Sequence, residues 1–71
     1  MANYYLKMDN IMKNMFVVAL NEELKAQREQ DGRLEETEAL LKKVREYDLA
    51  QKRLQITAGE QRQIRKALNR L

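Results

Sequence analysis

The stretch QREQDGRLEETEALL, Gln27 to Leu41, decides the fold. To its left the chain runs helix-compatible with no breaker, and to its right a new apolar series starts at Leu34. Between them stands Gly32, and a glycine just past a helical stretch is the usual left-handed stop. The chain contains no proline and only one other glycine, Gly59. Gly32 is therefore the natural pivot of the first two thirds of the sequence.

Working outward from that pivot, Leu34, Thr37, Leu40, Leu41, Val44, Tyr47, Ala50 and Leu54 fall on one side of a helix turning 100° per residue. Upstream, Met8, Met12, Met15, Phe16 and Ala19 form a second stripe with Leu20 at its edge. These patterns predict helices over residues 9–30 and 34–55, each about 33 Å long. Joined by so short a connection, they should pair as an antiparallel hairpin. Leu24 then faces Leu40 and Leu41, Leu20 faces Val44, Phe16 approaches Tyr47, and Ile11 approaches Leu54.

The hairpin leaves a remainder. Val17 and Val18 point away from the upstream stripe, so residues 15–20 are apolar almost all round, and a helix of that kind is buried on every side. Met15, Val17 and Val18 are therefore expected to be covered by a third helix or by a second copy of the chain, with a homodimer as the expected state. A local alternative exists at the N-terminus. NYYLKM and IMKNMF flank Asp9-Asn10, a pattern that could also form a short hairpin of strands, although a lone two-stranded hairpin is marginal in water.

Downstream, Thr57-Ala-Gly-Glu60 has the spacing of a capping box, in which the Thr oxygen and the Glu carboxylate each satisfy a free backbone N–H. It predicts a third helix over 58–71. Ala67, Leu68 and Leu71 lie within about 60° of Ile64 on its wheel, giving one narrow apolar stripe. Arg62, Arg65, Lys66, Asn69 and Arg70 occupy the opposite half, with Gln63 beside them. After Glu60 no acidic residue remains.

Charge follows the same division. Residues 42–71 hold nine Lys/Arg against three Asp/Glu, a net +6, and residues 1–41 hold five against eight, a net −3, summing to the chain's +3. Such a directed field draws polyanions to one end. Cations near a helix C-terminus also oppose the macrodipole by about 0.3–1 kcal/mol each, which accounts locally for Lys66 and Arg70. It does not account for Arg62, which sits near the positive end. Tyr4, Tyr5, Phe16 and Tyr47 all precede the basic helix, so a stacking platform for single strands is not in view. Contact with phosphates, and groove reading by Arg62, Gln63, Arg65 and Asn69, is the more natural form. Four cationic contacts would give a log–log salt slope of about −3.6 on duplex DNA.

Composition sets what is excluded. A chain of 71 residues is one small domain that buries about 60% of its unfolded surface, and its core alone rarely gives more than about 3–5 kcal/mol. There is no Cys, no His and no Ser, so the usual nucleophiles, the neutral-pH base and the common metal ligands are missing. The carboxylate groups Glu22/Glu23 and Glu35/Glu36/Glu38 lie in charge-mixed surroundings that suggest no desolvation. No catalysis, cofactor, metal or small-molecule substrate is expected. The apolar run of residues 15–20 is far short of the ~20 needed to cross a bilayer, and the N-terminus lacks a signal-peptide pattern, so a cytoplasmic address without membrane contact is expected. The reading is an all-α, three-helix protein, a long antiparallel hairpin plus a shorter C-terminal helix in a dimeric bundle. Its expected role is that of a small regulatory or accessory protein that binds nucleic acid. The alternative is a protein–protein adaptor or inhibitor that turns the same basic helix, or the apolar band at 15–20, toward an acidic or apolar protein partner.

Overall fold

The structure, a computed structural model, describes residues 3–30, 32–51 and 53–71. The chain is mostly helical, with three helices and a small two-stranded sheet, in the order β1 (Asn3–Leu6), α1 (Asn10–Gln30), α2 (Leu34–Arg45), β2 (Leu54–Thr57) and α3 (Ala58–Asn69). The strands are antiparallel, with Asn3 opposite Thr57, Tyr4 opposite Ile56, Tyr5 opposite Gln55 and Leu6 opposite Leu54.

α1 begins where Asp9 accepts a hydrogen bond from the Met12 N–H at 2.8 Å, an N-cap that satisfies one free donor of the first turn. Its buried face is Phe16, Ala19, Leu20, Glu23, Leu24 and Gln27. That stripe differs from the one expected: Met12 and Met15 lie toward solvent, and Met8 is buried in the connection before the helix. Two polar side chains, Glu23 and Gln27, take positions that an apolar count passes over. α1 and α2 pack as the antiparallel hairpin, and Leu20, Leu24, Leu40, Leu41, Val44, Phe16 and Tyr47 share one core. Arg45 donates to Asn21 Oδ1 at 3.2 Å and Lys13 Nζ to the Tyr47 carbonyl at 3.4 Å, fixing the direction of the pair.

Gly32 stops α1 by another route than the expected one. Its φ lies outside the left-handed region; its N–H donates back to the Gln27 carbonyl at 3.2 Å, and its own carbonyl receives the Leu34 N–H at 2.8 Å.

The expected second helix over 34–55 is corrected in its second half. α2 ends at Arg45, and residues 54–57 are strand. The break has a local cause. The Asp48 carboxylate accepts the Ala50 N–H at 2.9 Å, and the Asp48 carbonyl accepts the Gln51 N–H at 3.1 Å, a side-chain turn that competes with helix continuation. Beyond it, Leu54 and Ile56 are buried while Gln55 and Thr57 are exposed. This is the period-2 alternation of a half-covered strand. Ala50 is exposed, and Ile11, expected beside Leu54, stands 73% exposed. The strand reading of the N-terminus applies to residues 3–6, but their partner is β2 and not residues 11–16. A two-stranded ribbon is marginal alone. Here Leu54 and Ile56 lie in the helical core with Leu6 packed against it, and Arg53 lies 4.3 Å over the Tyr5 ring on the outer side.

Candidate nucleic-acid interface

α3 grows directly out of β2, because Thr57 is both the last strand residue and the helix N-cap. With φ −83° and ψ 168° it keeps extended backbone while its Oγ1 accepts the Glu60 N–H at 3.1 Å and its own N–H reaches Glu60 Oε1 at 2.9 Å. The expected capping box is formed. Lys43 of α2 closes on the same carboxylate at 2.9 and 3.0 Å and also reaches the Gln55 carbonyl at 3.4 Å. Partial burial pushes the Glu60 carboxyl up, but the Thr57 N–H and the Lys43 ammonium outweigh it and hold the group below its ordinary value.

From that anchored start the helix turns its residues in three directions. Ile64 and Ala67 are buried, and Leu68 packs at the edge of the core. Leu71, expected in the same stripe, lies past the helix end and is 59% exposed. One flank faces α1 and α2: Gln63 donates to Glu36 Oε2 at 2.9 Å, Lys66 stands 3.6 Å from Glu23 Oε1, and Arg70 Nε donates to Glu23 Oε2. The third direction is outward. Arg62, Arg65 and Asn69 are exposed, and neither arginine forms an ion pair among the described residues. The Lys66 side chain remains 62% exposed despite its pairing, so it stands between the inward flank and the outward face.

Glu23 is the residue sequence reasoning missed. Its side chain is 1% exposed, against the expectation that none of the carboxylates is desolvated. A buried carboxylate needs cations and hydrogen bonds to be tolerated, and it has Arg70, Lys66 and the Gln27 amide at 3.1 Å. One signal was available: Glu23, Gln27, Leu20 and Leu24 share one helical face, which a count of apolar residues alone does not register.

The expected self-association residues divide as well. Val17 is half-buried against the core. Met15 is 49% and Val18 52% exposed, and with Ile11 they form a stripe that faces away from the core, with Met12 at its side 39% exposed. α3 packs on α1 but leaves this stripe open.

Comparison with protein-family models, with curated proteins and with solved structures finds no match. No helix among the described residues is long and apolar enough to cross a membrane.

Proposed function

We propose that this chain is a small, non-catalytic regulatory or accessory protein of the cytoplasm that binds nucleic acid through the outward face of α3 and works as a homodimer. The observation that carries the reading is the exposed set Arg62, Arg65 and Asn69, bordered by Lys66, with no carboxylate among them. Arginines and lysines on one helix face neutralise phosphates and release condensed counterions, and an exposed Asn can hydrogen-bond to phosphates or base edges. Arg70 and Gln63, engaged by Glu23 and Glu36, serve in this reading to fix the helix and not to touch phosphate.

The dimer is supported by the stripe on α1. Apolar patches above a few hundred Å² are uncommon on monomers, and a chain without Cys or His has no disulfide or His-bound metal to reinforce its small core. Two copies of α1 crossing antiparallel, with the two-fold between Asn14 and Met15, bring Ile11 level with Val18. An isologous interface of this kind is the commonest route to small oligomers.

Titration of labelled duplex DNA across a salt series tests the reading. Two phosphate contacts per subunit give a log–log slope of about −1.8 when one subunit engages and about −3.6 when both do, and a third from Lys66 makes these about −2.7 and −5.4. Charge reversal at Arg62 and Arg65 together should abolish binding. A folded protein that shows no nucleic-acid binding at about 50 mM salt would rule it out. Sedimentation tests the dimer, which Val18→Glu should shift to monomer. The second reading, an adaptor or inhibitor, is favoured by the same exposed stripe. It expects Val18→Glu to abolish capture of a defined protein partner while the wild-type chain alone stays monomeric.

A further inference from the structure

The ribbon of β1 and β2 buries one face and leaves the other open. Leu54 and Ile56 enter the core with Leu6 packed against it, so the alternation of a strand turns Gln55 and the residues level with it outward. Tyr5 stands opposite Gln55 and is 53% exposed. Arg53 lies one residue before Leu54, diagonal to Tyr5, and its guanidinium carbon is 4.3 Å from the ring centroid. Diagonal neighbours on an antiparallel pair are within reach of aromatic and long side chains. Lys7, just past the end of β1, is exposed as well.

The cations here are not committed to neighbours. Among the described residues neither Arg53 nor Lys7 forms an ion pair. Glu46 and Asp48 are the carboxylates of the groove that Arg53 borders, and Asp48 is engaged instead by the Ala50 N–H at 2.9 Å. In the sequence Tyr5 is far from the basic helix, but pairing of β1 with β2 sets it on the strand that leads into α3. Gln55 lies two residues before Thr57 and Arg62 five after it. The rises of strand and helix then hold the Gln55 and Arg62 Cα atoms within about 16 Å of each other. About five nucleotides at a stacked spacing of roughly 3.4 Å cover that distance.

We propose that the outer face of the ribbon is a stacking platform, Tyr5 with Arg53, for an unpaired base of a nucleic-acid strand held on α3. This rests on the nucleic-acid reading of α3 and adds to it a preference for single strands. Unstacked bases lie flat on aromatic rings and on guanidinium planes, and the Tyr5–Arg53 pair presents both surfaces already assembled. Every base has such a face, so the platform is tolerant of sequence. In a duplex the faces are closed by neighbouring bases, and only the phosphates remain for the cations. An acidic protein segment brings carboxylates for Arg53 and Lys7 but no planar group for the ring, so it leaves Tyr5 unused.

Fluorescence anisotropy of the full chain with labelled oligothymidylate and with a labelled duplex at matched salt tests this. Tyr5→Val keeps a strand-forming residue and removes the ring. It should weaken single-strand binding about tenfold, the loss of one stacked base, and leave duplex binding unchanged. Tyr5→Phe should bind both as the wild type does. In the wild-type protein the Tyr5 ring resonances should move upfield as oligothymidylate is added while those of the buried Tyr47 stay still, a readout that needs no variant to fold. Unmoved Tyr5 resonances while the strand binds, or a single-strand affinity that survives Tyr5→Val, overturn the platform and leave the α3 contacts standing. Failure of strand and duplex alike to bind at about 50 mM salt overturns both.

Discussion

The two ends of α3 are each held by a carboxylate between cation and amide, yet the two clamps belong to different physical regimes. At the start of the helix Glu60 is local, 21% exposed, and shared between Thr57 and a Lys43 that is itself 41% exposed. At its end Glu23 comes from another helix, is 1% exposed, and is held by Arg70 and Lys66. Exposed pairs contribute little because water competes for both partners. A buried carboxylate stripped of its cation is strongly unfavourable. The same ion-pair chemistry should therefore be nearly idle at one end of the helix and indispensable at the other.

The sharpest way to break this contrast is Arg70→Met. It leaves Glu23 buried with Lys66 and Gln27 alone, and we expect a loss of about 3 kcal/mol, most of what a core of this size supplies. Urea denaturation measures it, and the double variant Glu23→Met/Arg70→Met should recover most of the loss. A cost for Arg70→Met as small as that of a surface pair would erase the distinction. Next, Thr57→Ala removes the cap at the other end and should cost about 1 kcal/mol, with hydrogen exchange rising first in residues 58–61.

Lys43→Met should cost less, about 0.2–1 kcal/mol. Its share is tied to pH in a defined direction. The folded Glu60 carboxyl is held below its ordinary value of 4.5, so the stabilisation is present above that value and lost as pH falls through the lowered one. Thermal melts across that acid range should show wild type losing the advantage over Lys43→Met that it has near neutrality. The smallest effect is expected at the hairpin turn. Because Gly32 is not left-handed and a Cβ there would meet only Gln27 Cγ at 3.9 Å, Gly32→Ala should be tolerated or should stabilise by about 0.4–1 kcal/mol. A loss above 1 kcal/mol would show that the turn needs glycine after all.

Those contrasts also mark what was legible in the sequence. The hairpin could be read because Leu20, Leu24, Leu40, Leu41 and Val44 repeat at helical spacing on both sides of one break. The cap of α3 could be read because Thr57 and Glu60 are three residues apart and need no tertiary partner. The strand at 54–57 was hidden: four residues carry too little period-2 signal, and Leu54 also extends the helical series of α2. What decides the matter is pairing with residues 3–6, far away in sequence. For the basic helix, the sequence distinguishes an apolar from a cationic half, and the macrodipole sets Arg62 apart from Arg70. That Arg70 is engaged by a buried carboxylate shows only when Glu23 is placed beside it. Burial of a carboxylate depends on which helix lands across from it, and local periodicity holds no such information.

The ladder between Asn3 and Thr57 has a further consequence, for the order of assembly. Contacts within α1 and α2 are close in sequence and can form early, whereas β1 must find β2 across nearly the whole chain, a closure with a high entropic cost and a slow rate. Because β2 runs without a linker into α3, that last closure adds to the Glu23–Arg70 pair and the buried Ile64 and Ala67 in setting the orientation of the basic helix. A protease that trims the first six residues, or a bulky fusion placed directly before Asn3, should then leave a helical hairpin largely intact while α3 is held less firmly in its pose. The N-terminal segment is thereby one brace of a surface at the opposite end of the sequence.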